Sequence, residues 1–89
     1  MSKEISEKIE RWKLLAEQLL KQNKRIYICD INNQFYFADI LLIGEETITI
    51  QCFSPLKRKN EKYVLNWFKI KDMEEYKPFA QSLKIRWLK

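Results

Sequence analysis

Apolar residues recur along this chain with two different periods. Between Ser2 and about Gln22, Ile5, Ile9, Trp12, Ala16 and Leu19 stand at helical spacing, with Leu15 and Leu20 beside them. At about 100° per residue they share a stripe roughly 140° wide, so the spacing predicts an amphipathic helix that buries one face. Ser2 suits the N-cap, Glu4 and Glu7 the positive end of the helix dipole, and Lys21, Lys24 and Arg25 the other end. Asn23 is placed to stop the helix in a left-handed conformation. Leu14 falls off the stripe, where a single exposed leucine is ordinary.

The period drops to two at Arg25. RIYICDI, QFYFADILLI and TITIQCF follow one another as strand-like runs, separated only by Asn32-Asn33 and by Gly44-Glu45-Glu46. Two asparagines tolerate positive φ, so a two-residue hairpin turn is expected. That turn pairs Cys29 with Tyr36, Ile28 with Phe37 and Tyr27 with Ala38. One hairpin face then holds Ile26, Ile28, Phe35 and Phe37, and the other holds Tyr27, Cys29, Tyr36, Ala38 and Ile40. Both faces are apolar, which suits a long bent strand in a small barrel better than a flat sheet with one wet side. Gly44, the only glycine, is expected to take a special backbone angle. Ser54-Pro55 ends the third strand. A basic loop follows over Leu56–Lys62. Two short strands, Tyr63–Phe68 and Ile70–Met73, break near Asn66-Trp67. The chain turns acidic from Asp72 to Pro78, and Phe79–Lys89 fits a short helix or a strand.

Composition narrows the classes. The 89 residues, 46% of them hydrophobic, suit one domain with a packed core. No run of about 18 apolar residues offers a membrane span, and the charged start, MSKEISEKIERW, does not resemble a secretory signal. Histidine is absent, which removes the commonest general base and metal ligand. Cys29 and Cys52 lie in strand-like runs without partners at ligand spacing, so buried thiols in a cytoplasmic protein are expected, with no metal and no cofactor. Lys and Arg number 17 against 12 Asp and Glu, a net charge of +5. That excess admits an acidic partner without requiring one.

A helix, five short strands and two tight early turns resemble a small SH3-like barrel, and in detail its Sm-like (Lsm) branch. RIYICDINNQFYFADILLIGEE resembles the family's first two strands, with Ala38 at the glycine step, Ile40 at the leucine and Gly44-Glu45 near the acidic position. VLNWFKIKDM resembles the second half in spacing, with Ile70 and Met73 as the apolar pair. The resemblance spans about Ser2 to Met73. It implies a mainly β, five-stranded Sm-like barrel with an N-terminal α-helix, in one domain over 1–89: helix 2–22, barrel 25–73, and a C-terminal turn with a short helix or strand over 74–89. It also implies a homo-oligomer joined through edge strands. The family's RNA site uses an asparagine in the second turn and an Arg-Gly pair. Glu45, Glu46 and Thr47 occupy that turn here, and Asn66-Trp67 replaces the pair, so those base-reading groups are not carried over. Two glutamates there also repel phosphate.

Two constellations carry possible chemistry. Asp30 and Asp39 could face one another as an acid/base pair, but no nucleophile, base or phosphate loop accompanies them. Such carboxylates more often cap turns or pair with Arg25, and no enzyme is expected. Lys57, Arg58, Lys59 and Lys62 form a basic loop beside Tyr63 and Trp67. Cations that follow phosphate next to rings that stack on bases are the ingredients of single-strand binding. Lys84, Arg86, Trp87 and Lys89 repeat the combination more weakly. The expected function is a non-catalytic subunit that binds single-stranded nucleic acid, RNA first, as a homo-oligomer. The alternative is a protein-interaction or assembly module of the same fold with no affinity for nucleic acid.

Overall fold

The computed structural model of the protein describes residues 3–54 and 56–77. Helix α1 spans Lys3–Lys21. Five strands follow: β1 Ile26–Asp30, β2 Phe35–Ile43, β3 Thr47–Ser54, β4 Lys62–Asn66 and β5 Ile70–Glu75. One 3-10 turn, Leu56–Arg58, precedes β4, and a second, Trp67–Lys69, joins β4 to β5. The protein is mainly β. Among the described residues all strand pairs are antiparallel, in one sheet of order β4-β3-β2-β1-β5. The expectations for Ser2, for a helix or strand over 79–89 and for the cations Lys84, Arg86 and Lys89 fall outside the described residues.

The helical stripe packs as its spacing predicts. Ala16 and Leu19 are buried, and Ile9, Trp12 and Leu15 pack half-buried against the same core. Leu14 points outward. α1 lies on β2, β5 and the second 3-10 turn. It ends in a Schellman arrangement: Asn23 takes φ 54°, its N–H donates to the Leu20 carbonyl at 3.1 Å, and the Lys24 N–H donates to Leu19 at 2.9 Å.

The first hairpin departs from the expected register by one residue. Cys29 pairs with Phe35, Ile28 with Tyr36, Tyr27 with Phe37 and Ile26 with Ala38. The loop is Ile31-Asn32-Asn33, three residues long. The Asn33 N–H donates to the Asp30 carbonyl, and the Asp30 N–H donates to Gln34, both at 3.0 Å. Asn33 sits in the left-handed region at φ 61°, the form of a turn closed by a bulge. The Asp30 carboxylate selects it, because Oδ1 accepts the N–H groups of Asn32 and Gln34, each at 2.9 Å. Each strand alternates faces, so the slip exchanges partners across the pleat. Ile26, Ile28, Tyr36, Ala38 and Ile40 all join the core cluster, together with Ile48, Ile50 and Cys52 of β3. Tyr27, Phe35 and Phe37 form the outer face instead. Their rings continue to Tyr76 and Phe53 with centroids 4.9 to 6.2 Å apart, and the Arg25 guanidinium covers Phe53 at 4.1 Å. All five residues of β1 are buried, which is why both faces read as apolar.

Gly44 is corrected too. No glycine has positive φ; what favours glycine there is space, since a Cβ would meet the Thr47 carbonyl oxygen at a tight 3.1 Å and push the turn back slightly. β4 stops at Asn66 rather than Phe68, and β5 runs on through Glu75, taking in acidic residues expected to form a turn.

β4 and β5 stand at opposite edges of the sheet, yet only Trp67–Lys69 separates them. In a flat five-stranded sheet the edges lie about 19 Å apart, whereas a 3-10 turn from Asn66 to Ile70 spans about 8 Å. The sheet is therefore curved, bringing the end of β4 near the start of β5. β2 bends for this at register shifts after Phe37 and after Ile40. Backbone bonds carry the neighbouring ladders on into this turn: the Ile31 N–H donates to the Lys69 carbonyl at 2.9 Å, beyond the β1–β5 pairing, and the Trp67 N–H donates to the Glu46 carbonyl at 3.1 Å, beyond the β3–β4 pairing.

Candidate nucleic-acid interface

The basic residues lie where β3 hands over to β4. Asn60 takes φ 69° and its N–H donates to the Cys52 carbonyl at 2.7 Å. The Cys52 N–H donates to Glu61 at 2.9 Å, and the Glu61 N–H donates to Arg58 at 3.0 Å. These bonds hold the connection in one shape. From it Lys57, Lys59 and Lys62 project into solvent, while Arg58 is half-buried.

Arg58 turns inward. Its guanidinium lies over the Tyr36 ring, 4.9 Å from the centroid. Tyr36 meets Tyr63 edge-to-face at 5.1 Å, and its hydroxyl donates to Asp30 Oδ2 at 3.1 Å. Burial, and next the Asp30 carboxylate, push the Tyr36 phenol up to about 12. The Tyr63 hydroxyl donates to the Glu61 carboxylate, and that bond raises the Tyr63 pKa. Tyr63 is half-buried, its phenol end on the surface. The result is one connected row, Asp30, Tyr36, Arg58 and Tyr63, on a connection whose Lys57, Lys59 and Lys62 are exposed.

Of the six residues named from the sequence, five lie on this connection or at the start of β4, namely Lys57, Arg58, Lys59, Lys62 and Tyr63, and of these Arg58 and Tyr63 are linked through Tyr36. Trp67 does not join them. It is 1% exposed within the core, and its indole N–H donates to the Gly44 carbonyl at 3.0 Å. A ring enclosed on both sides offers no base a stacking surface, so Trp67 is a fold anchor. The sequence reading missed Tyr36, because the displaced register put it on the wrong side of the hairpin from Ile28. It read Asp30 as a turn cap, a partner for Arg25 or half of an acid/base pair, without its link to this row.

The two aspartates weighed as an acid/base pair have separate duties. Asp30 is buried and accepts three hydrogen bonds. Asp39 forms an exposed ion pair with Arg25 at 3.2 Å. Cys29 and Cys52 are both buried free thiols, and burial raises the pKa of each. Among the described residues no group of three or more Cys, Asp or Glu side chains could hold a metal ion. No described helix is long and apolar enough to cross a membrane. No protein-family model matches the chain, and no curated protein matches it either.

Proposed function

We propose that this protein is an Sm-like small barrel that binds single-stranded nucleic acid, RNA first, through the β3–β4 connection, as a non-catalytic homo-oligomeric subunit. Support for the barrel comes from the curled five-stranded sheet, its bulged second strand and the helix laid across it. The observation that carries the binding reading is that Lys57, Lys59 and Lys62 are exposed along the connection that leads into Tyr63, whose ring packs edge-on against Tyr36. Mobile ammonium groups suit backbone phosphates, which carry no sequence information. A ring held edge-on before a base arrives loses little freedom on stacking. Arg58, already engaged by Tyr36, serves mainly to hold the connection and to add positive potential.

The test is titration of labelled uridine-rich and mixed single-stranded RNA and DNA at two salt concentrations. Three phosphate contacts on a single strand give a log–log salt slope of about −2, so affinity is expected to fall about 20-fold between about 50 and 200 mM salt. Reversing Lys57, Lys59 and Lys62 to Glu together is expected to abolish binding. Salt-independent binding, or binding indifferent to the triple reversal, overturns the reading.

The second reading is an assembly module. β4 is an edge strand, paired only with β3 among the described residues, and its Val64 is 65% exposed. An apolar edge of this kind is a template for another strand. A stable oligomer in sedimentation with no affinity for either nucleic acid would favour it.

A further inference from the structure

The opposite chemistry is concentrated around the β2–β3 turn. A groove of about 270 Å³ opens between α1, that turn and the second 3-10 turn, lined by Ile9, Glu45, Glu46, Trp67 and Phe68. Its lining is mainly apolar, and the two glutamates are exposed at its rim. Neither carboxylate makes an ion pair or a side-chain hydrogen bond among the described residues. Of the cations adjacent in sequence to lining residues, Lys69 lines a different cavity with Asp30, Ile31 and Asn32, and Lys8 stands over the Trp12 ring. Phe68 is 56% exposed on a turn that cannot easily turn it inward. Trp67 is anchored to Gly44 by its indole and to Glu46 by its backbone, and Lys69 is tied to Ile31. The groove is smaller than a typical ligand pocket, with room for about one long side chain.

We infer that this groove receives an arginine side chain, next to an apolar residue, from a segment of a partner protein. The Glu45 and Glu46 carboxylates match the planar fork of a guanidinium, which also stacks on an aromatic face, whereas an ammonium does neither as well. The exposed Phe68 ring supplies that face. Half-buried Ile9, with the edge of the groove formed by Phe68, takes the methylene stem and its apolar neighbour. On a chain of net charge +5, a negative rim over an apolar floor selects a basic partner at this one place. Nucleic acid is disfavoured there by the same two charges.

The experiment is an amide NMR titration of the full chain with N-acetyl-Leu-Arg amide, with the Leu-Lys and Leu-Gln amides as comparisons. Saturable shifts are expected at Gly44, Glu45, Glu46, Trp67 and Phe68, with a dissociation constant of about millimolar for so small a probe. The Leu-Lys amide should bind more weakly and the Leu-Gln amide hardly at all. Glu45→Gln combined with Glu46→Gln is expected to weaken the Leu-Arg amide about tenfold, the size of one lost charge-assisted hydrogen bond. Both residues lie in an exposed turn, and unchanged shifts elsewhere in the spectrum would confirm an intact fold. Phe68→Ala should weaken binding separately. Equal binding of the Leu-Gln amide, shifts confined to other surfaces, or indifference to the double substitution overturns the inference. So does a uridine-rich oligonucleotide that shifts these same amides. The Lys57, Lys59 and Lys62 reversals should leave the dipeptide affinity unchanged, so this inference and the nucleic-acid reading fail separately.

Discussion

Asp30 serves two places at once: its Oδ1 closes the β1–β2 turn, and its Oδ2 accepts the Tyr36 hydroxyl under the basic connection. Hydrogen bonds to a charged acceptor contribute about 1.5–3 kcal/mol each and do not add fully. Asp30→Ala is therefore expected to lower stability by about 2–4 kcal/mol in urea unfolding; an unchanged midpoint would mean that Asn33 alone sets the turn. Tyr36 adds a pH dependence whose sign follows from its environment. Its phenol is pushed up to about 12 from 10.0, so the folded protein holds the proton more tightly than the unfolded chain does. The resulting stability is complete below about pH 10 and is lost as pH rises toward 12. Thermal unfolding followed between those values should show a shallower decline in Tyr36→Phe than in the parent protein. Tyr27, raised still further, first by burial, will contribute in the same direction in both. The buried thiols, with pKa values also raised, should stay unreactive toward a disulfide reagent at neutral pH until the protein unfolds; fast labelling of the native protein would contradict their packing.

At the scale of elements, α1 is an apolar stripe with a defined stop, and substitutions should divide by face. Leu19→Ala removes a buried side chain and is expected to cost about 2–4 kcal/mol, whereas Leu14→Ala should stay within about 0.5 kcal/mol; equal effects in denaturant titrations would mean that Leu14 packs against something. This division was legible in the sequence, because a single stripe of period 3.6 has only one side to bury. The hairpin was less legible for a definite reason. Register is normally read from which alternate residues are polar, and β1 has both sides buried. Either pairing then puts apolar residues on both faces, and the choice falls to the Asp30 side chain, a local competition invisible to alternation. The same limit applies to the candidate interface. The lysines were legible as a charge run, and Tyr63 as the ring beside it. Tyr36 depended on the register, and Trp67 on knowing that a 3-10 turn, rather than a strand, carries it into the core.

At the scale of the whole molecule, the basic connection and the acidic turn are separate features. Three exposed lysines stand on or at the end of the β3–β4 connection, while Glu45 and Glu46 line an apolar groove. A protein that joins a nucleic acid to a basic protein segment needs such a separation, since one mixed surface would partly neutralise itself. Tyr63→Ala is accordingly expected to weaken oligonucleotide binding by about 1–3 kcal/mol if a base stacks there, and to leave the response to the Leu-Arg amide unaltered. A loss of both would mean that the change has disturbed the fold.

β1 sits between β2 and β5, and these neighbours reach it at very different times during synthesis. β2 follows at once through a three-residue loop, but Ile26 waits for Glu75, and Asp30 for Ile70. Until the chain has emerged that far, the most deeply buried strand presents a bare ladder to whatever is nearby. Such distant pairing slows folding, and an open apolar strand invites pairing between chains. A protein cut after Lys69 keeps four of its strands and α1, yet it is expected to aggregate rather than persist as a smaller fold. For this chain the hazard of misassembly is therefore concentrated in the interval before its last described strand is released.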